Sequence, residues 1–292
     1  MLDDYLNAIK RFKEPVVYTP ESPILHPWKL MTGMLRDVGK SWPLARRLII
    51  RDLTAQYRQT IFGYLWAIIP PLATALIFIF LNSAKILAVP QTEVPYPVYV
   101  MTGTIFWQLF VDALNGPLKE INLNRSMLTK VDFPKEALII SSIGQVLFSF
   151  FIKLILLTVI LVIFRVSVQW TIILLIFPMA GLLGMGILIG VLLVPLGVLY
   201  KDIQQGLALI IQPLMLLTPV IYPPPSEGIL AKIMNLNPIT PLILAVRDCI
   251  FTGFPRPLIP FVTVCGITFL LLFLGWIIYR LALPILIERM EA

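Results

Sequence analysis

Long apolar segments alternate with short polar ones along most of this chain. Six segments hold about 20 or more mainly apolar residues, the length at which a helix crosses the hydrocarbon core of a bilayer. They lie at about 62–81, 96–114, 137–164, 170–199, 203–222 and 258–281. The pattern predicts an all-α integral membrane protein with six transmembrane helices, which together form one transmembrane domain over residues 61–292.

Two features inside these segments predict their local geometry. Pro70 and Pro71 interrupt the first span and predict a kink there, because proline lacks the N–H group that the helix ladder needs. Gly186 and Gly190 are four residues apart in the fourth segment, a spacing that permits close helix packing. We expect these glycines to face another helix of the same chain; a contact between two copies of the chain is the alternative.

The chain before the first span divides into two parts. Residues 1–40 are polar and interrupted by prolines, which predicts a cytoplasmic N-terminal arm. Residues 41–60 fit an amphipathic helix, because Arg47, Arg51 and Arg58 fall on one side of a helical wheel, opposite an apolar side. Such a helix is predicted to lie in the cytoplasmic headgroup region. A basic flank that only orients the first span is the simpler alternative.

Within the stretch at about 226–256, the segment Ile229–Phe251 is apolar enough for a seventh span, but it is polar in several places. Lys232, Arg247 and Asp248 are among its polar groups, and prolines interrupt it, which does not suit a helix that faces lipid. We therefore predict a re-entrant periplasmic helical hairpin before the last span, with a true seventh span as the alternative. Arg247 and Arg256 would then lie on the outer side and either serve the substrate or bind lipid headgroups.

Composition and charge agree with a membrane protein. Hydrophobic residues make up 58% of the chain, charged residues 13%, and the mean hydropathy is +0.89. A soluble domain carries about 25% charged residues. With both termini in the cytoplasm, the six spans place 17 Lys and Arg residues inside and five outside, which follows the positive-inside rule. The net charge of +7 therefore indicates topology and not nucleic-acid binding.

The sequence offers little for catalysis or metal binding. It lacks the G-x-x-x-x-G-K-[ST] and H-E-x-x-H patterns, and its single histidine supports no serine or cysteine nucleophile. Cys249 and Cys265 lack the spacing of metal ligands. Asp112 and Lys153 carry charge within spans. A rise of about 1.5 Å per residue places Asp112 near the cytoplasmic side and Lys153 in the outer half, so we expect no pairing between them.

Aromatic side chains are concentrated in the first two spans. They are Tyr64, Trp66 and Phe78 in the first span, and Tyr96, Tyr99, Phe106, Trp107 and Phe110 in the second. Because the C–H face of a pyranose ring stacks on an aromatic ring, these side chains are candidates to line a path for a sugar polymer. Interfacial anchoring and helix–helix packing are the alternatives.

A charged, amphipathic stretch at about 120–133 follows the second span on the predicted cytoplasmic side. Leu128 and Phe133 are among its apolar anchors, whereas Arg125 and Lys130 carry positive charge. The stretch is either a loop that lies on the membrane or a short helix that docks into the groove of a soluble partner.

Three blocks of the sequence together resemble a known family. They are RDLTAQYRQTIFGYLWAIIPPL, LNRSMLTKVDFPKEAL and NPITPLILAVRDCIFTG, in that order. They resemble the membrane (permease) subunit of ABC-2 type polysaccharide exporters, the group that exports O-antigen, capsular polysaccharide and teichoic acid. The N-terminal stretch VVYTPESPILHPWKL is most similar to the O-antigen branch.

The resemblance implies a homodimer in the bacterial inner membrane, bound on its cytoplasmic side to two copies of a separate ABC ATPase subunit. ATP and Mg²⁺ would be bound by that partner, and this chain would hold no cofactor. The substrate would be a polyprenyl-pyrophosphate-linked polysaccharide that is moved outward. An ABC-2 exporter of a small lipid or drug is the nearest alternative. A membrane-bound glycosyltransferase or lipid-modifying enzyme is another, although it would need clustered acidic residues at one membrane face.

The resemblance also implies roles for individual residues. Residues 41–60 would be a gate helix, whose arginines Arg47, Arg51 and Arg58 suit the pyrophosphate of the lipid carrier. The aromatic residues of the first two spans would line or ring a channel. A coupling helix at about 120–133 would contact the ATPase through Asn122, Asn124, Arg125, Leu128, Lys130 and Phe133.

Overall fold

The computed structural model describes residues 27–58, 60, 62–86, 89–131, 133–200 and 202–291. Residues 1–26 of the predicted N-terminal arm lie outside the described residues, as does Asp132 of the predicted coupling segment. The chain forms two compact units, Met1–Lys40 and Ser41–Ala292. The second unit contains all the predicted spans.

All regular structure within the described residues is helical. The α-helices in chain order are α1 (Pro27–Arg58), α2 (Ile69–Ser83), α3 (Tyr96–Leu123), α4 (Arg125–Lys130), α5 (Glu136–Ile163), α6 (Ile176–Leu199), α7 (Asp202–Leu216), α8 (Ile229–Leu236), α9 (Ile239–Arg247) and α10 (Leu258–Glu291). Short 3-10 turns at Gly63–Ala67 and Trp170–Leu175 precede α2 and α6. A π-helical turn at Asp248–Thr252 follows α9.

Three helical segments are long and apolar enough to cross a membrane. They are Glu136–Ile163, Trp170–Leu199 and Leu258–Arg289. In addition, α8 and the helical stretch Ile239–Thr252 form a pair bent by 89°, a geometry that fits either a broken span or a re-entrant loop. An all-helical membrane protein is therefore confirmed. The count of six spans and the re-entrant hairpin stay predictions.

Helix α3 lies at the centre of the bundle and packs against α2, α5 and α6. Gly186 and Gly190 of α6 face it. A Cβ atom on Gly186 would stand 2.6 Å from the carbonyl oxygen of Phe110, and one on Gly190 would stand 2.4 Å from that of Leu114. Because any side chain would collide there, the two glycines allow the helix backbones to approach. The prediction that they pack within one chain is confirmed.

The α-helix of the first predicted span begins later than the apolar segment that predicted it. Residues Gly63–Ala67 form a 3-10 turn and α2 begins at Ile69, so Pro70 and Pro71 occupy its first turn. The N–H groups of a first turn have no acceptor within the helix, and the fixed φ angle of proline suits this position. The two prolines therefore start the helix, and the prediction that they kink it was wrong.

Arg247 holds the end of α9 against α3 and against the turn that follows α7. The residue is 6% exposed. Its guanidinium group donates hydrogen bonds to Oη of Tyr99 at 2.8 Å, to the carbonyl oxygen of Val220 at 2.5 Å and to the carbonyl oxygen of Pro219. The guanidinium also stacks over the Tyr99 ring, 3.6 Å from its centroid. Buried backbone carbonyl groups outside regular helices need donors from elsewhere, and Arg247 supplies them to Pro219 and Val220. It is a buried anchor and is not available to lipid headgroups.

Candidate functional site

Residues 41–58 of α1, here called the interface helix, pack their apolar side against the bundle. Ala45 and Leu48 are buried in the main core. A Cβ atom on Gly144 of α5 would stand 2.4 Å from Cδ1 of Ile49, so the two helices are in direct contact. The predicted amphipathic character is present, with one exception: Ile50, placed on the apolar side of the wheel, is 56% exposed.

The three arginines of the predicted cationic side have different surroundings. Arg47 and Arg58 are exposed, and neither has an ion pair or hydrogen bond to any described residue. Arg51 donates through Nε to Oδ1 of Asp52 and through Nη2 to Oδ1 of Asn124, both at 2.7 Å. The hydrogen bond to Asp52 raises the pKa of Arg51 above its usual value. The Arg51 side chain is therefore bonded to the protein although it is 50% exposed, whereas Arg47 and Arg58 are exposed and have no such partner among the described residues.

A network of polar side chains continues inward from Arg51 and is centred on Glu120. This carboxylate is buried near the end of α3. It accepts hydrogen bonds from Nε2 of Gln145 at 2.9 Å and from Nδ2 of Asn124 at 3.3 Å. Gln145 also lies 3.3 Å from Oδ2 of Asp52. Burial raises the pKa of Glu120 above its usual range, since desolvation penalises the charged carboxylate. The network joins the interface helix, α3 and α5.

Lys153 and Asp112 form an ion pair, which the sequence prediction excluded. Nζ of Lys153 lies 2.5 Å from Oδ2 of Asp112, and Nε2 of Gln108 donates to Oδ1 at 2.8 Å. The Cα–Cβ bonds of a helix tilt toward its N-terminus, and α3 and α5 are antiparallel. The two side chains therefore lean toward each other from different depths. The prediction was wrong because it counted axial rise and left out the direction and length of the side chains.

Two cavities with partly polar walls lie near this ion pair: Asp112 lines the first, and its hydrogen-bond partner Gln108 lines the second. The α3–α5 cavity has a volume of about 140 Å³ and is lined by Gln56, Asp112, Asn115, Glu120, Ser142 and Gln145 among others. The α3–α7 cavity has a volume of about 290 Å³, and its lining includes Thr74, Trp107, Gln108, Asn115, Gln212 and Met215. Asn115 is common to both linings, so the cavities are neighbours along α3. Hydroxyl and amide groups beside one indole ring suit a ligand rich in hydroxyl groups.

The predicted channel aromatics fall into four environments. Tyr64 and Trp66 are exposed, and Phe78 and Tyr96 are half-buried. Phe106 and Phe110 are completely buried in the core, where Phe106 packs edge-on against Phe150 with ring centroids 5.2 Å apart. Trp107 lines the α3–α7 cavity, and Tyr99 lines another cavity beside Arg247. The structure thus brings Trp107 to a polar cavity and gives Phe106 and Phe110 the packing role that the sequence left as an alternative. A channel role for these aromatics stays a prediction.

The predicted coupling segment is divided between two helices. α3 continues to Leu123, and α4 follows as a separate short helix after a break at Asn124. The segment buries three of the six predicted contact residues and exposes the others. Asn124, Leu128 and Phe133 are buried, whereas Asn122, Arg125 and Lys130 are exposed. Apolar anchoring on one side leaves a basic surface on the other, as a helix that docks on a partner requires.

Sequence reasoning missed several polar residues of these sites, among them Gln108, Gln145 and Gln212. One signal was present, because Gln108 and Asp112 are separated by one helical turn and therefore share a face. The partners of Gln145 are distant in sequence, and no local pattern indicates them.

Comparison with known proteins agrees with this architecture. Residues 44–251 match the ABC-2 type transporter family. The chain is 24% identical over 223 residues to the O-antigen export system permease protein RfbA of Myxococcus xanthus, with 74% of this chain and 84% of that protein covered. It is 25% identical over 230 residues to a protein of the same name from Klebsiella pneumoniae, with 75% and 85% covered. The chain therefore belongs to the ABC-2 type transporter family and is homologous to O-antigen export permeases.

Proposed function

We propose that this chain is the transmembrane permease of an ATP-driven exporter that moves a polyprenyl-pyrophosphate-linked polysaccharide, most specifically an O-antigen, from the cytoplasmic side across the inner membrane. The observation that carries the proposal is the α3–α7 cavity. Its lining of amide and hydroxyl groups with Trp107 matches a sugar polymer, which needs hydrogen bonds in both directions and an apolar surface for its rings. The names of the two relatives support the O-antigen class.

The proposal includes a topology. Six spans hold both termini in the cytoplasm, and α8 and α9 form a re-entrant hairpin on the periplasmic side. The 89° bend of this pair and the internal hydrogen bonds of Arg247 support the hairpin, because a non-helical break at membrane depth needs partners within the protein. In this orientation the interface helix and α4 lie together on the cytoplasmic side.

The working unit in this proposal is a homodimer with two ABC ATPase subunits. α4 contacts the ATPase through Arg125 and Lys130, whose exposure leaves them available. ATP and Mg²⁺ belong to the partner, and the permease itself contributes no catalytic residue and no cofactor. Its role is to bind the lipid-linked glycan and to change conformation when the ATPase does.

Arg47 and Arg58 bind the pyrophosphate of the lipid carrier in this proposal. A pyrophosphate group in the headgroup region requires cations that the protein has not already neutralised. The exposed guanidinium groups of Arg47 and Arg58 meet that requirement. Replacing both by Gln should abolish surface glycan while the assembled complex can still be purified. Normal surface glycan in this double variant would refute the assignment.

The experiment that tests the proposed function is deletion of the gene, followed by identification of the lipid-linked material that accumulates inside the cell. Accumulation of an undecaprenyl-type glycan, together with loss of the same glycan from the surface and its return on complementation, is the expected outcome. Accumulation of a small lipid, or no change in any glycan, would contradict the proposal.

A further inference from the structure

We propose that Arg51 and Asn124 form a link that passes movement of α4 to the interface helix, so that Arg51 is a positioning residue and not a ligand for the substrate. The inference rests on the proposed function in one respect, the contact between α4 and an ATPase. Its geometric basis lies entirely within this chain.

Asn124 is the joint between α3 and α4. Its carbonyl oxygen accepts hydrogen bonds from the N–H groups of Met127 and Leu128, both at 3.0 Å, so it moves with the first turn of α4. Its side-chain amide donates to the carbonyl oxygen of Glu120 at 2.9 Å and to the Glu120 carboxylate at 3.3 Å. The side chain is buried, and its amide cannot rotate without breaking these bonds. The backbone of Asn124 is thus bonded to α4 and its side chain to the end of α3, so in the proposed link a displacement of α4 acts on the side-chain oxygen through the backbone of the same residue.

Arg51 contacts the joint with a fixed geometry. Nη2 reaches Oδ1 of Asn124 and Nε reaches Oδ1 of Asp52, each at 2.7 Å. A guanidinium group holds these donors in one rigid plane, so the two bonds fix the arginine more firmly than one bond would. Asp52 also lies 3.3 Å from the Gln145 amide of α5. The interface helix is thus fastened on one side to the α3–α4 joint and on the other to α5.

The surroundings of Arg51 oppose a role in binding phosphate. Asp52 neutralises its charge at 2.7 Å, and the buried carboxylate of Glu120 is a second acid in the same network. Two of its N–H groups already have protein acceptors. Arg47 and Arg58 on the same helix have no such partners among the described residues. The three arginines therefore divide into two that are available to an anion and one that connects helices.

The link predicts reciprocal effects that need neither ATP nor glycan, because coupling between two sites acts equally in both directions. Hydrogen–deuterium exchange of the full chain in lipid nanodiscs measures them. Asn124→Ala should raise exchange of residues 46–58 by about tenfold, and Arg51→Gln should raise exchange of residues 125–130 by about as much. Exchange in the double variant should be little faster than in either single variant, since each substitution removes the same Arg51–Asn124 hydrogen bond. Arg46→Gln, an exposed arginine on the same helix, is the matched control and should change neither segment.

A second arm uses the chain together with its ATPase. In the unaltered complex, ATP should change exchange in both α4 and the interface helix. In Arg51→Lys, the change should persist in α4 and disappear from the interface helix. Glycan export should fall about tenfold while ATP hydrolysis continues. Lysine keeps the charge but loses the planar fork, so this variant separates a charge that binds phosphate from a geometry that links helices.

Two results would overturn the inference: normal export by Arg51→Lys together with loss of export by Arg51→Gln, or unchanged exchange at 125–130 when Arg51 is replaced. Failure of the proposed function is distinguishable. It would show as absence of a bound ATPase or of accumulated glycan, neither of which enters the reciprocal exchange measurement on the chain alone.

Discussion

Lys153 places an ammonium group among the apolar side chains of α5, and Asp112 compensates its charge. The lysine side chain is 3% exposed and the aspartate side chain 28%. Removing one member of a buried pair leaves the other charge uncompensated, whereas removing both charges is close to neutral. A single variant therefore measures the cost of leaving one charge uncompensated, and a double variant measures the net contribution of the pair to stability.

Replacing Lys153 by Met should destabilise the protein by about 3 kcal/mol, at the low end for a broken buried pair because Asp112 retains some hydration. Thermal unfolding of the full chain in detergent measures the loss. The double variant Lys153→Met/Asp112→Asn should recover most of it, and Lys232→Met, at an exposed lysine of α8, should have no effect. Equal stability of the Lys153 variant and the unaltered protein would contradict the importance of the pair.

Glu120 should make stability depend on pH. Burial raises the pKa of this carboxylate above the ordinary glutamate value of 4.5, so the folded state binds the proton more tightly than the unfolded state. The stabilising contribution of Glu120 to the free energy of unfolding is therefore fully present below pH 4.5. It is lost as pH rises through the raised pKa of the folded state. Melting curves of the unaltered protein and of Glu120→Gln test this. The variant should gain relative stability as pH rises, whereas Glu227→Gln, at an exposed position, should show none of this gain. Parallel melting curves at all pH values would exclude the effect.

At the scale of the elements, the sequence predicted those helices and breaks that depend on the pattern of neighbouring residues. The helix over 41–58 followed from arginines and apolar residues at helical spacing, but the start of α1 at Pro27 was missed, because residues 27–40 were assigned to the polar arm. The α8–α9 break followed from polar residues and prolines between apolar stretches. The start of α2 was missed because a proline pair is compatible with a kink and with a first turn. The extension of α3 to Leu123 was missed because Lys119 and Glu120 look like loop residues until their protein partners are known.

The network around Glu120 shows why the rest could not be predicted. Gln145 lies 25 residues from Glu120 and 93 residues from Asp52 along the chain, and only the packing of three helices brings them together. The same holds for the ion pair of α3 and α5. Periodicity places a residue on one face of its own helix, but it does not specify which residue of another helix lies opposite.

Helix α4 should transmit the state of the ATPase through its exposed basic side. Replacing Arg125 and Lys130 together by Glu is expected to reduce retention of the ATPase on the tagged permease at least about fivefold, since both exposed side chains would then repel an acidic groove. Stability should change little, because neither residue is buried. A double reversal at the exposed residues Lys85 and Lys232 carries the same change in charge on the side that the proposed topology places outside, and it is the control. Undiminished retention in the α4 variant would count against its coupling role.

At the scale of the whole molecule, the two exposed arginines Arg47 and Arg58 are not part of the α3–α7 cavity, whose polar lining is neutral, whereas the neighbouring α3–α5 cavity includes Asp112 and Glu120 in its lining. The accessible arginines Arg47 and Arg58 lie on the interface helix. The walls of the α3–α7 cavity carry amides and hydroxyl groups, and Asn115 joins that cavity to its neighbour. In the proposed exporter, the pyrophosphate would be held at the exposed arginines while an uncharged glycan would meet the neutral groups of the α3–α7 cavity, which bind it weakly enough to slide.

The orientation of the molecule is the assumption on which every assignment of sides depends, and a single residue tests it. Ser226 is exposed in the loop before α8, and the six-span topology places it outside. In a background with Cys249 and Cys265 replaced by Ser, Ser226→Cys should react with a membrane-impermeant maleimide added to whole spheroplasts. Ser126→Cys, exposed on α4, should react only after the membrane is opened. The reverse pattern would place α4 and the interface helix on the outer face, where no ATPase could reach them, and would remove the proposed direction of transport together with the Arg51 link to ATP.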